Sequence, residues 1–262
     1  MASHDAMILG LAAGYHHGDV RPFLASLRAS GFAGRCALFV SATTRDAERM
    51  ADFGVKAVPF ARPEHQNHVP LNAWRYFLYR EYLAGLQRPP QTVLLTDVRD
   101  VVFQADLLAG DWEPGLHLFL EDAAMGLGQC PWCARWVRGH LGGAALELLA
   151  PHPVACSGTT LGDAGAVAAY LELMVRHLLP FTPGERMAGY DQGVHNWLLR
   201  TGRLSRVRLH DNAGPVLTLG RRTAPPALDA RGLVCNDAGA PAALVHQYDR
   251  HPALHRLLRQ RF

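Results

Sequence analysis

The segment VLLTDVRDVVFQ (93–104) sets two carboxylates, Asp97 and Asp100, into an otherwise apolar stretch. Val93, Leu94 and Leu95 lead into Asp97, and Val101, Val102 and Phe103 follow Asp100. In a continuing strand, residues i and i+3 would point to opposite faces. A β-turn across 97–100 instead brings the two Cα atoms within roughly 7 Å. Carboxylates that close repel unless a cation or a proton lies between them. A hard divalent ion with oxygen ligands, Mn²⁺ or Mg²⁺, suits such a pair. The plain alternative is a polar turn in which Asp100 pairs with Arg99 at the surface.

Several other residues could carry chemistry, each with a structural alternative. Asp191 and Gln192 open a helical stretch, where an acidic residue also serves the helix dipole. His246 lies in a late apolar stretch, where a lone histidine is commonly part of the core. Tyr15 follows the first strand and either stacks on a base or covers the sheet. Arg75 either reaches a diphosphate or forms a surface salt bridge with Glu81 or another acid. Ser157 and Gly158 are small residues at a strand-to-helix boundary, and Asp163 beyond them reads as a helix N-cap. Cys130 and Cys133 form a C-x-x-C, whose reactive versions occur at helix N-termini. Here the motif follows the βαβ half, and no second cysteine or histidine pair at zinc spacing accompanies it. Trp132 and Trp136 beside it read as packing residues or as the wall of an acceptor cleft.

The elements that must position these groups alternate. Strand patterns fall at 6–13, 36–42, 55–60 and 92–96. Helical patterns fall at 19–31 with Asp19 as cap, at 43–54 with a threonine cap, and at 70–86. Alternating strands and helices imply βαβ units and a parallel sheet. Continuous apolar strands imply cover on both faces, and sites in such sheets lie at the carboxyl ends of the strands. Asp97 occupies such an end. Beyond residue 110 the pattern is less regular. Strands are expected at 115–122, 152–162 and 243–249, helices at 163–179 and 190–202, and a short helix at the terminus.

Composition narrows the function classes. The 262 residues are 49% hydrophobic and 19% charged, enough for a sizeable core. A formal net charge of +3 gives no support to nucleic acid as a partner. Lys56 is the single lysine, which removes any mechanism that needs two. The start lacks a basic region before its apolar run, and no apolar run is long enough for a membrane span; the expectation is a cytoplasmic protein. Five cysteines at irregular spacing make no disulfide framework. Arg250, Arg256, Arg259 and Arg261 opposite Leu254, Leu257 and Leu258 describe a solvated helix face, or at most a peripheral membrane contact.

LLTDVRDVVF resembles the metal-binding element of GT-A fold glycosyltransferases, an apolar strand ending in a DxD-like motif before a short apolar strand. The spacing here is D-x-x-D. Strand, turn and helix over 6–30 resemble the nucleotide-binding start of that fold. YDQGVHNWLL resembles the D-Q-x-x-x-N segment of several such families, including glycosyltransferase family 8. VHQYD resembles the late histidine that completes the metal site. The resemblance covers most of the chain, and its expectations follow from it. It implies one α/β domain over 1–262, GT-A-like (Rossmann-like), with a mostly parallel central sheet flanked by helices. Residues 1–110 would form the nucleotide-binding half and 111–262 the acceptor-binding half. The activity would be Mn²⁺- or Mg²⁺-dependent transfer from a nucleotide diphosphate sugar, with UDP expected first. The acceptor would be a glycan, a lipid-linked glycan, a peptide or a small molecule. Asp97, Asp100 and His246 would hold the metal, with His251 as the fallback ligand. Ala12, Ala13, Gly14, Tyr15, Arg75, Asp97, Ser157 and Gly158 would contact the donor. Asp191 and Gln192 would be catalytic, the carboxylate stabilising an oxocarbenium-like state or acting as base on the acceptor hydroxyl. Two rival readings stand beside it. One is a metal-dependent phosphatase of the haloacid dehalogenase type, against which Lys56 lies upstream of the aspartates. The other is a non-catalytic nucleotide-sugar or glycan-binding protein.

Overall fold

In the computed structural model, which describes residues 5–262, Asp97 follows the last residue of a central strand in a seven-stranded, mostly parallel mixed sheet. Residues 1–4, where the reading for a leader begins, lie outside the described residues. The first half runs β1 (Ala6–Leu11), α1 (His17–Ala29), β2 (Arg35–Val40), β3 (Val55–Pro59), α2 (Leu71–Ala84), β4 (Thr92–Thr96) and β5 (Val101–Phe103). The second half runs β6 (Leu116–Leu120), α3 (Pro131–Leu141), α4 (Gly143–Leu149), β7 (Ala155–Asp163) and α5 (Ala164–Leu178). It closes with α6 (Tyr190–Arg200), β8 (Val207–His210), β9 (Val216–Thr218), β10 (Leu244–His246) and α7 (Pro252–Arg261).

The large sheet is ordered β3-β2-β1-β4-β7-β6-β8. Its first four strands are parallel, and β7 runs antiparallel to both β4 and β6. The two halves of the chain therefore share one sheet through the β4–β7 pair. Side chains alternate across it, as the strand period requires. Met7 and Leu9 of β1 pack with Tyr76 and Tyr79 of α2 and with Val167, Tyr170 and Leu171 of α5. Ala6 and Ile8 pack on the other face with Phe23 and Leu24 of α1 and with Phe103. Fully burying one such leucine or phenylalanine stabilises the fold by roughly 1.5–3 kcal/mol. Asp163 caps α5, accepting from the Ala166 N–H at 2.8 Å, as its sequence context predicts.

A second sheet of three strands, β5-β10-β9, matters most for function. β10 pairs antiparallel with β5, with His246 opposite Val101, Val245 opposite Val102 and Leu244 opposite Phe103. The Gln247 N–H donates to the Asp100 carbonyl at 2.8 Å. This register carries the chain terminus to the end of β4.

Three local expectations are corrected. Helix α1 begins at His17, capped by the His16 side chain; Asp19 is the third helical residue and closes a capping box onto the His16 N–H. Residues 47–53 form a 3₁₀ turn rather than a threonine-capped α-helix. Thr44 is drawn away to the first loop, where its hydroxyl donates to the Ala12 carbonyl and accepts from Gly14 N–H. Helices α3 and α4 were not anticipated, because glycines at 126, 128, 139, 142 and 143 break the apolar periodicity. The apolar side of α7 is not free: Leu254 and Leu258 pack with Tyr248 and Val245, leaving Leu257 exposed. Arg259 and Arg261 donate to backbone carbonyls of Gly18, Arg231 and Gly232. Among the described residues no helix is long and apolar enough to cross a membrane.

Candidate metal centre

The turn after β4 leaves the strand direction at Asp97 and lies over β1. Gly10 permits this close approach: a Cβ there would meet Val98 Cγ2 at 2.5 Å. The turn brings Asp97, Asp100 and His246 together, with one potential ligand atom from each lying within 4.8 Å of the others. His246 Nε2 sits 3.3 Å from Asp97 Oδ2 and 3.9 Å from Asp100 Oδ1. The imidazole is fully buried, and Nε2 has no well-aligned hydrogen bond. Its Nδ1 faces Thr159 Oγ1 at 3.4 Å and Cys156 Sγ at 3.7 Å. An imidazole held through Nδ1, with Nε2 turned toward two carboxylates, is the arrangement of a metal-ligating histidine supported by a second layer of contacts. Two oxygen donors and one imidazole suit Mn²⁺, and Mg²⁺ less well.

The electrostatics fit a cation at this point. Burial would raise the Asp97 pKa, but the Arg75 charge and the nearby His246 outweigh it and hold the carboxyl below its ordinary range. Burial raises the Asp100 pKa, and the neighbouring Asp97 adds to the rise while His246 opposes it. Burial works against a charged His246, yet Cys156, Asp97 and Asp100 together hold its pKa above the ordinary value. The cluster thus carries excess negative charge that a proton or a divalent ion must offset. The surface-turn alternative does not hold: Arg99 pairs with Asp249 at 2.8 Å, and Asp100 faces inward. His251, the fallback ligand, lies outside this cluster and caps α7.

Arg75 is the structural centre behind the metal residues. It is buried on α2, where one guanidinium nitrogen holds Asp97 and the other reaches Asp191 at 3.0 Å and the Ser157 carbonyl at 3.1 Å. The expected surface salt bridge with Glu81 is therefore replaced by a buried bridge between two acids. Asp191 is only 1% exposed and also accepts from Ser157 Oγ at 3.2 Å. Burial raises its pKa, with Arg75 acting against that.

The D-Q-x-x-x-N pattern now has a geometric meaning. Gln192 Oε1 accepts from Ser157 N–H at 3.3 Å, while Asn196 accepts from Ala155 N–H at 2.8 Å and donates to its carbonyl at 2.9 Å. One side of α6 clamps the start of β7, where the pairing with β6 shifts register. That fixes Ser157 and Gly158, which lie near the start of β7 rather than at its junction with α5, against the metal residues. A Cβ on Gly158 would lie 2.5 Å from both Asp97 Oδ2 and His246 Cε1.

Two clefts flank the cluster. The smaller, about 190 Å³, is lined by Ala13, Tyr15, Arg75, Asp97, Arg99 and Asp100, among others. Ala12, fully buried, and Gly14, in a left-handed turn, are not part of its lining. The larger, about 650 Å³, contains Gln192, Gln247, Trp132, Trp136, Arg221 and Glu121. Gln192, rather than the buried Asp191, therefore meets open space. Glu121, at the end of β6, is not among the residues expected from sequence, although it follows an apolar strand much as Asp97 does and that position is the signal that could have found it; its carboxylate accepts from Gln192 at 3.1 Å. Cys130 caps α3 and Cys133 lies one turn on; both are free and border this cleft. A hydrogen bond from Cys133 lowers the Cys130 pKa, despite burial. Lys56 lies over the Tyr82 ring, away from the cluster.

No protein-family model matches the chain, and no curated protein matches it.

Proposed function

We propose that the protein is a metal-dependent glycosyltransferase of the GT-A type, moving a sugar from a nucleotide diphosphate donor to an acceptor in the larger cleft. The observation that carries this reading is the unpartnered Nε2 of His246, delivered from 146 residues beyond Asp100 to face two carboxylates at the carboxyl end of a parallel strand. A buried polar atom without a partner is costly, and nothing in the core requires it to face Asp97 and Asp100.

Asp97, Asp100 and His246 would hold Mn²⁺ or Mg²⁺. When bound, the metal would supply Lewis acidity to the departing nucleotide diphosphate. The chain's own residues divide the remaining work. Ala13 and Tyr15 border the smaller cleft, where a base and ribose would rest. Arg99, on the same cleft, adds positive charge for a diphosphate. Arg75 acts as a positioning residue, since its two hydrogen-bonding arms fix Asp97 on one side and Asp191 on the other. Ser157 and Gly158 would form the floor beside the metal residues, and Gln192 borders the acceptor side. Asp191, enclosed by Arg75 and Ser157, orients that floor and contributes negative potential to an oxocarbenium-like state.

The test is calorimetry of UDP with and without Mn²⁺, followed by turnover of a panel of nucleotide diphosphate sugars. UDP binding strengthened at least tenfold by Mn²⁺, and lost in Asp100→Ala, supports the reading. Metal-independent binding, or binding unchanged in that variant, overturns it. Release of phosphate from phosphomonoesters without any donor preference would instead favour the phosphatase alternative.

A further inference from the structure

We infer that the larger cleft selects a carbohydrate-sized acceptor bearing an oxyanion, a phosphate or carboxylate group, with Arg221 as its anchor; this deepens the transferase reading and rests on it.

The cleft holds about 650 Å³, within the usual range for small-molecule sites. It adjoins the candidate metal centre through Gln192 and Gln247, the chain neighbours of Asp191 and His246. Its charges are unevenly paired. Arg222 forms an ion pair with Asp237, but Arg221 forms none among the described residues. Arg221 Nε is enclosed and has no hydrogen-bond partner, and the terminal nitrogen contacts only the weak acceptor Met125 Sδ, at 3.7 Å. A guanidinium in this position carries unused donors in a fork that matches an oxyanion. Arg250 borders the same cleft. Its partner Asp249 is engaged more closely by Arg99, at 2.8 Å against 3.7 Å.

Further positive charge lies near the cleft's aromatic lining. Trp132, which lines the cleft and is 48% exposed, has the guanidinium groups of Arg135 and Arg186 at 5.3 and 5.6 Å from its ring, just outside the lining itself. Arg186 pairs with Glu185, whereas Arg135 forms no ion pair among the described residues. The acid inside the cleft, Glu121, is buried and hydrogen-bonded to Gln192; Arg221 lies close enough to act on its charge but forms no ion pair with it. The open surface of the cleft is therefore cationic and aromatic. That combination holds a sugar ring by its apolar face and an oxyanion by charge-assisted hydrogen bonds.

The experiment titrates the full chain with glucose 6-phosphate, glucuronate and glucose, and in parallel with UDP plus Mn²⁺. Glucose 6-phosphate or glucuronate should bind at least tenfold more tightly than glucose. Arg221→Gln should remove that advantage, since a hydrogen bond to a charged group contributes about 1.5–3 kcal/mol, about tenfold or more in affinity. Asp100→Asn should leave it intact. Arg250→Gln, whose guanidinium is half exposed, gives a second variant that folds independently of any damage around Arg221; it should weaken anion binding about threefold. Equal binding of all three probes overturns the inference. So does anion binding lost in Asp100→Asn but retained in Arg221→Gln, which would assign the anion to the metal centre. If UDP with Mn²⁺ fails to bind while the Arg221-dependent anion site persists, the transferase reading falls and the oxyanion site stands; the reverse pattern overturns the oxyanion site alone.

Discussion

Gly158→Ala tests the candidate metal centre with a single methyl group. The added Cβ would lie 2.5 Å from Asp97 Oδ2, against an ordinary contact of 3.4 Å or more, so the carboxylate oxygen must retreat by the difference, about 0.9 Å. Asp97 has little freedom to do so. Its N–H donates to the Gly158 carbonyl at 2.8 Å, and Arg75 holds its other carboxylate oxygen. The same methyl meets His246 Cε1 at 2.5 Å, so two of the three candidate ligands are displaced together. Metal–ligand distances tolerate about 0.2 Å, and disturbing the layer that orients ligands costs about 10–100-fold in metal affinity. We expect Mn²⁺-supported UDP binding to weaken by at least that factor, about 1.4–2.7 kcal/mol. Overpacking in a buried strand should also cost about 1–3 kcal/mol of stability. Gly162→Ala separates the two effects: its Cβ would meet the Gly115 carbonyl at 2.7 Å, in the same strand but away from the cluster. It should lower the melting temperature while leaving Mn²⁺ and UDP binding as in the wild type. Calorimetry and thermal melts on the three proteins make the comparison. Wild-type Mn²⁺ affinity in Gly158→Ala, or an equal loss in Gly162→Ala, would refute the placement of the metal.

Asp100→Asn should stabilise the metal-free protein by about 0.5–2 kcal/mol while removing its stabilisation by Mn²⁺, a trade of function for stability. Because the Asp100 pKa is raised in the folded state, the folded protein binds the more protons as pH rises through about 4, and stability falls there; melting curves in EDTA should show that fall diminished in the variant. His246→Ala should weaken Mn²⁺-supported binding more than Mg²⁺-supported binding, because imidazole favours the transition metal. In the wild type Mn²⁺ affinity should drop as pH falls, since a protonated imidazole cannot ligate, and the variant should lose most of that dependence; an unchanged metal preference and pH profile would make His246 a core residue. Arg75→Met should destabilise the fold by about 3 kcal/mol, because it leaves the buried Asp191 and the half-buried Asp97 without their cation. Adding Asp191→Asn should recover part of that loss in denaturant unfolding, and strictly additive losses would count against the bridge.

The α/β class, the strand at 92–96 and the helices at 70–86, 163–179 and 190–202 were legible in the sequence, because hydrophobic period and end signals are local. The same local logic flagged Asp97 and Asp100: carboxylates at the end of an apolar strand have no packing role there. Helices α3 and α4 were hidden by glycines that interrupt the apolar repeat. What Arg75 does could not be read at all, since its partners Asp97, Ser157 and Asp191 come from three later segments. Nor could the antiparallel insertion of β7, which sets Gly158 beside Asp97. The sequence supplied the donor atoms and the strands that end near them. Only the tertiary structure decided which of them meet. The pairing of β10 with β5 brings His246 opposite Val101, one residue beyond Asp100, and such long-range register depends on packing across the whole sheet rather than on any local preference of the residues involved.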